Sequence, residues 1–273
     1  MPDLDLVDQF RNYQLARGLS PATVRRRHLT LTRFTPGRDL ETVTATDIEA
    51  WLASLDVTSQ SRGMYLSDIR AFWKWGINHD IFTVDPTHKI VPPKRPNYVP
   101  DPISPKALLA AIDAAPERER LMLTLAGFAG LRCAEIAGLR LENVDHESGT
   151  LRVVGKGRKT RIVQLHERVA ELIPAESFGP VVAWNGKPIT PRAVSDRLAA
   201  YLRGVGIDAT GHKARHSFGT ALYAACQDLR LVQEQLGHSS PQTTQAYVAT
   251  SDADARAAVK KLYKAKPPDD AAA

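Results

Sequence analysis

Four short segments of this sequence hold side chains whose types and spacing suit chemistry on an anion. GLRCAEIAGL at 130–139 sets Arg132 and Glu135 three residues apart at a helix start, close enough to share one face. VVGKGRKTRIVQL carries Lys156 between two glycines, in a turn whose backbone can approach a ligand closely. GHKARHSFGTAL at 211–222 repeats the three-residue step with His212 and Arg215, at a helix N-terminus that favours anions. QLGHSSPQTTQAYV at 235–248 places His238 after a Leu-Gly helix end and Tyr247 nine residues later. Two guanidiniums can hold the oxygens of an anion with forked donors. A phenol, with a free pKa of about 10, is a weak nucleophile at neutral pH unless a positive pocket or a proton acceptor activates it. Singly, each segment has an ordinary alternative. Arg132 and Glu135 can be an exposed helix pair, Lys156 a solvated turn lysine, His212 a cap and Tyr247 a packed aromatic.

These residues need elements to position them. Ser20-Pro21 has an N-cap followed by proline and opens a helix through Phe34, which carries Arg25-Arg26-Arg27. Thr46 with Glu49 has capping-box spacing and starts a second helix. Tyr65, Ile69, Phe72, Trp73 and Gly76 follow a helical period and predict a third. Residues 91–105 contain six prolines and predict a linker, which holds Lys94 and Arg95. Beyond it, Ser104-Pro105 and Thr190-Pro191 open helices, and 116–129 forms another. On the helix from 211, Phe218, Ala221, Leu222 and Ala225 read as core positions. TLRVV at 150–154 and TRIVQL at 160–165 are β-type runs joined by GKGRK, a hairpin. The expected domains are a helical unit over 1–90, a linker over 91–104 and a larger, mostly helical unit over 105–265. A disordered tail is expected over 266–273.

Charge divides along the same lines. The first 88 residues hold 10 Lys and Arg against 11 Asp and Glu, whereas residues 89–273 hold 26 against 19. A basic second part suits an anionic polymer, because neutralised phosphates release counterions. The acidic start, MPDLDLVDQF, is unlike a signal peptide, and no run approaches the ~20 apolar residues needed to span a bilayer. Cys133 and Cys226 are too few for a metal cluster and read as reduced thiols of an intracellular protein. No G-x-x-x-x-G-K-[ST] loop and no carboxylate cluster for two metals is visible, so no cofactor and no metal is expected.

Arg132, Lys156 in a β-turn, His212-x-x-Arg215, Leu-Gly-His238 and then Tyr247, in that order, resemble the phage-integrase family of tyrosine recombinases. The resemblance covers nearly the whole chain. Ala214 departs from it, since the family usually has leucine before the second arginine. The resemblance implies a mainly α fold with a small antiparallel sheet, in which an N-terminal helical core-binding (SAM-like) domain precedes the catalytic domain. It also implies cleavage through a 3′-phosphotyrosyl bond and a free 5′ hydroxyl, with religation that needs no ATP. Catalytic residues would be Arg132, Lys156, His212, Arg215, His238 and Tyr247. His212 is the implied proton acceptor, Lys156 the implied donor to the leaving 5′ oxygen, and Glu135 a supporting group. Arg25, Arg26, Arg27, Lys94, Arg95, Arg158 and Lys159 are the candidate DNA-binding residues.

The implied partner is double-stranded DNA at specific recombination sites. It would be bound by a homotetramer that exchanges C-terminal helices, with an accessory bending or directionality factor, in the cytoplasm at the nucleoid and away from membranes. Ala255, Ala258, Val259 and Leu262 have the spacing of a helix that docks in a groove. The Ala-rich end, KPPDDAAA, resembles degradation signals read by bacterial proteases. A chain beginning at the core-binding unit leaves no room for a separate arm-binding domain, which favours a minimal integrase or Xer-like architecture. GHKA and the VATSD after Tyr247 depart from the Xer pattern and favour integration or excision of a phage or mobile element over Xer-type dimer resolution. A type IB topoisomerase shares the residue set but lacks a core-binding domain. A DNA-binding regulator needs no intact catalytic set.

Overall fold

The computed structural model describes residues 2–94, 101–155, 159–175, 178–184 and 186–237. The chain divides into two compact units, Met1–Asn97 and Tyr98–Ala273.

Among the described residues, four helices build the first unit. They are α1 (Pro2–Ala16), α2 (Pro21–Phe34), α3 (Ala45–Ser54) and α4 (Ser59–Asn78). Helix α1 is an addition to the sequence reading, and its Val7 and Phe10 are buried. Ser20 caps α2 as expected, its hydroxyl accepting from the Thr23 N–H at 3.3 Å. The cap of α3 lies two residues earlier than expected. Thr44 accepts from the Asp47 N–H, and the Asp47 carboxylate accepts from the Thr44 N–H at 2.9 Å. Thr46 is therefore inside the helix, because the reciprocal pair that satisfies the orphan donors is Thr44 with Asp47. Phe10, Phe34, Phe72, Trp73 and Phe82 form an edge-to-face aromatic core. Gly76 is required there, since a Cβ on it would lie 2.1 Å from the Phe82 ring.

Packing of α2 on α4 also decides what the arginine triplet does. Asp68 of α4 is fully buried, and Arg26 reaches it at 2.6 Å, with Arg27 Nε at 3.6 Å. Thr30 donates to the same carboxylate at 3.1 Å. Burial raises the Asp68 pKa, an effect that Arg26, Thr30 and Arg27 oppose. Of the triplet, Arg25 is the exposed member.

The second unit is wound around α6 (Glu117–Phe128), of which Met122, Leu123, Leu125 and Ala126 are fully buried. Around it lie α5 (Pro105–Asp113), α7 (Cys133–Ala137), α8 (Glu167–Ala170), α9 (Pro191–Gly204), α10 (Gly211–Cys226) and α11 (Leu229–Leu236). An antiparallel sheet has the order β1 (Val144–Asp145), β2 (Thr150–Val154), β3 (Thr160–Gln164). Its register pairs Leu151 with Val163 and Val153 with Arg161. Alternation puts these four on the inner face and leaves Arg152, Val154 and Ile162 exposed. The strand β1 and a second ribbon, β4 (Ala183–Trp184) with β5 (Lys187–Pro188), were not read from sequence.

Residues 91–94 and 101–104 carry no helix or strand. Among the described residues no helix is long and apolar enough to cross a membrane. The candidate C-terminal helix over 251–262 and the tail over 266–273 lie outside the described residues.

Candidate active site

Helix α7 begins at Arg132, whose backbone is still extended, and Glu135 stands at its third position. The Glu135 carboxylate accepts from the Arg132 backbone N–H at 2.8 Å and from Arg132 Nη1 at 2.9 Å. Two further arginines converge on it. Arg161 of β3 donates from Nη1 to Oε1 at 2.8 Å and from Nη2 to Oε2 at 3.0 Å. Arg215 Nη1 lies 3.5 Å from Oε2. Burial alone would raise the Glu135 pKa. Hydrogen bonds from Arg161 and the Arg132 N–H, with the charges of Arg161 and Arg215, outweigh it and hold the carboxyl below the ordinary range.

The same three arginines receive the end of α11. Arg161 Nε donates to the Gln235 carbonyl at 2.9 Å, Arg215 Nη2 to Leu236 at 2.6 Å and Arg132 Nη2 to Gly237 at 3.3 Å. The last carbonyls of a helix lack partners within it and mark its negative end, so three guanidiniums are well matched to them. Gly237 ends the helix at φ +64°, and a Cβ on it would press the Arg161 side chain at 2.9 Å. Gly130, at φ +63°, turns its carbonyl onto Arg215 Nη1. Arg132 keeps 40% of its side chain exposed, whereas Arg161 keeps 12% and Arg215 2%.

On α10 the buried strip is Ala214, Arg215, His216, Ser217 and Gly219. This corrects the expected core face, because Ala221 and Ala225 are exposed while Phe218 and Leu222 are half-buried against Val232 and Leu236 of α11. Helix α10 packs on α6. Its buried polar groups find partners, such as Ser217, which donates to the Ile103 carbonyl ahead of α5 at 3.0 Å. Ala214 is fully buried. His212 stands in the first turn of the helix, and its Nε2 lies 3.0 Å from Nε2 of His216. Loss of hydration, then the charges of Arg215 and Arg132, lower the His212 pKa and keep the ring neutral at physiological pH.

The structure thus brings Arg132, Glu135, Arg215 and His212 to one region. Lys156, Arg158, His238, Tyr247 and Arg95 lie outside the described residues. The described chain beside two of them reaches the site. Gly155, whose N–H donates to the Lys159 carbonyl at 2.8 Å, has its Cβ position 3.6 Å from Glu135 Oε1. Gly237 is bonded to Arg132. Lys94 and Lys159 are exposed. Sequence reasoning missed Arg161 and His216. The first is signalled by strand alternation, which sets it on the face of buried Val163, and the second by its i, i+4 spacing from His212.

Residues 104–254 match the model of the phage integrase family. The chain belongs to that family. Tyrosine recombinase XerD of Pseudomonas putida is 32% identical over 93% of this chain and 96% of its own length. Tyrosine recombinase XerA of Thermococcus kodakarensis is 30% identical over 94% and 95%. The fold matches that of the Tn1549 transposon integrase in complex with a circular intermediate DNA, with a TM-score of 0.73, at 17% identity, over 94% of this chain and 99% of that one. It also matches a lambda integrase dimer bound to a core site, with a TM-score of 0.72, at 17% identity, over 89% and 76%. The chain is a site-specific tyrosine recombinase, an enzyme that breaks and rejoins DNA strands.

Proposed function

We propose that this recombinase cleaves duplex DNA through Tyr247, with Arg132 and Arg215 holding the scissile phosphate. The observation that carries the reading is the convergence of Arg132 and Arg215 on one buried carboxylate, Glu135, with His212 on the same helix as Arg215. Negative charge on the non-bridging oxygens rises toward the transition state, and preorganised guanidiniums stabilise it most there. His212 accepts the phenolic proton as Tyr247 Oη attacks phosphorus. Lys156 gives a proton to the departing 5′ oxygen, and His238 adds a donor to the phosphate. The phosphotyrosyl ester retains the bond energy, and attack by a 5′ hydroxyl of another strand reverses the step.

Arg25, Lys94, Arg95, Arg158 and Lys159 contact the DNA backbone, and four subunits assemble on two duplexes through their C-terminal helices. The enzyme acts in the cytoplasm, on a phage or mobile element that integrates and excises. Dimer resolution is the second reading, favoured by the XerA and XerD relatives that span most of the chain. The test of the chemistry is a nicked suicide duplex carrying the enzyme's site, which traps the covalent adduct. Tyr247→Phe is expected to abolish the adduct and keep DNA binding, and an adduct mapped to any other residue refutes the assignment. An attachment core or a tRNA gene beside the coding sequence separates integration from dimer resolution.

A further inference from the structure

His212 has a neighbour on its own helix, His216. His216 lies one helical turn on, at 6% exposure, with its ring edge-on to His212 at a centroid distance of 4.4 Å and an interplanar angle of 83°. Their Nε2 atoms are 3.0 Å apart, a hydrogen-bond distance that requires one nitrogen to donate and the other to accept. We infer that His216 is a positioning residue that accepts from His212 Nε2–H and thereby leaves Nδ1 of His212 as the nitrogen that takes the proton from Tyr247. This rests on the reading of His212 as the proton acceptor.

The direction of the bond follows from what the step demands. If His216 donated instead, the lone pair of His212 Nε2 would be engaged and its Nδ1 would carry the proton. Neither nitrogen could then receive the tyrosine proton. With His216 as acceptor, the bond survives the reaction. Tyr247 loses its proton to Nδ1, the His212 ring becomes an imidazolium, and Nε2–H continues to point at His216. Re-formation of the phenol on religation returns the proton. The role needs an acceptor that stays neutral while its neighbour is charged. Burial first, then His212 and Arg215, hold the His216 pKa down to about 4. The charged groups bearing on the pair are Arg215 on α10 and Arg132 at the start of α7. A buried carboxylate in place of His216 would pull the proton more strongly. A neutral imidazole fixes the ring and its tautomer while adding no negative charge beside a phosphate.

The test joins a spectroscopic and a kinetic readout on the full-length enzyme. Long-range 15N–1H correlation spectra at neutral pH, with His212 signals identified by their loss in His212→Gln, are expected to show His212 as the Nε2–H tautomer. An Nδ1–H tautomer overturns the inference without any variant of His216. In single-turnover cleavage of the suicide duplex, His216→Phe is expected to be about 10–100-fold slower at unchanged DNA affinity. That is less than the ~10²–10⁴-fold typical of removing a general base itself. His216→Gln, whose amide oxygen can accept at the same distance, is expected to restore most of the rate. His216→Phe cleaving at the wild-type rate, while His212→Ala is slow, overturns this inference and leaves the role of His212 standing. Wild-type cleavage by His212→Ala removes that role as well.

Discussion

Arg161 on β3 holds both carboxylate oxygens of Glu135 on α7, at 2.8 and 3.0 Å, across 26 residues of sequence. It also donates to the Gln235 carbonyl at 2.9 Å, so one guanidinium ties the sheet, α7 and α11 together. Arg161→Met leaves a carboxylate that is 4% exposed short of its main partner. Breaking a buried pair in this way costs about 3–5 kcal/mol. Urea unfolding is expected to show that loss, and the double variant with Glu135→Gln is expected to recover part of it. Additive losses in the double variant would mean that the two residues act separately.

Glu135 also sets a pH dependence. Its folded pKa is depressed, so the folded state holds fewer protons than the unfolded one around the ordinary value of about 4.3. The stabilisation is complete above that value and fades as pH falls through the lower folded pKa. Midpoint denaturant concentrations measured against pH are expected to fall steeply on the acid side for the wild type and less steeply for Glu135→Gln. Equal slopes would show that the carboxylate gains nothing from its arginines.

The arginines of α2 divide in function. Arg26→Gln removes the closer of the two arginine partners of buried Asp68. The expected loss is about 1–3 kcal/mol, below that of a fully buried pair because Arg26 is 40% exposed. Arg25→Gln is expected to leave stability within about 0.5 kcal/mol and to weaken DNA binding, with the salt slope reduced by about 1. Urea unfolding checks the stabilities, and titrations with specific duplex at several salt concentrations check the binding. A smaller salt slope for Arg26→Gln at unchanged stability would reverse the assignment.

Gly130→Ala tests the backbone of the site. Its φ of +63° is unfavourable for alanine, and the new methyl would meet the Phe218 ring at 2.5 Å. Overpacking of this kind costs about 1–3 kcal/mol, and the Gly130 carbonyl that accepts from Arg215 must move with it. The expected result is a lower melting temperature and slower cleavage together. Full activity in a folded Gly130→Ala enzyme would show that this carbonyl is dispensable.

Leaving-group chemistry separates Lys156 from His212. A 5′ alkoxide needs a proton to depart, whereas a 5′ thiolate does not, since a thiol pKa is about 8.5. Lys156→Ala is expected to cleave ordinary DNA very slowly and to recover substantially on a 5′-thio duplex. His212→Ala, Arg132→Ala and Arg215→Ala are expected to gain much less. Equal slowness of Lys156→Ala on both substrates would limit the lysine to positioning the phosphate.

What the linear order carries is local, and it was readable for that reason. Ser20-Pro21, Ser104-Pro105 and Thr190-Pro191 start helices at the expected places, because a cap and a proline act within four residues. The hairpin strands over 150–154 and 160–164 follow from alternation and a glycine turn. The i, i+3 steps put Arg132 beside Glu135 and Arg215 near His212, and the ordered motif set pointed to the family. What the fold alone decided depends on long-range burial. Arg26 and Arg27 look like free cations until α4 brings Asp68 against them. Ala221 and Ala225 look apolar enough for a core, yet α10 turns its polar Arg215, His216 and Ser217 inward, where carbonyls and a second imidazole satisfy them. Arg161 reads as an ordinary strand arginine. Its importance comes from two elements, α7 and α11, that are 26 and 74 residues away in the chain and present a carboxylate and a helix end to the same guanidinium. No local pattern encodes that meeting, because it exists only once three separate surfaces are packed together.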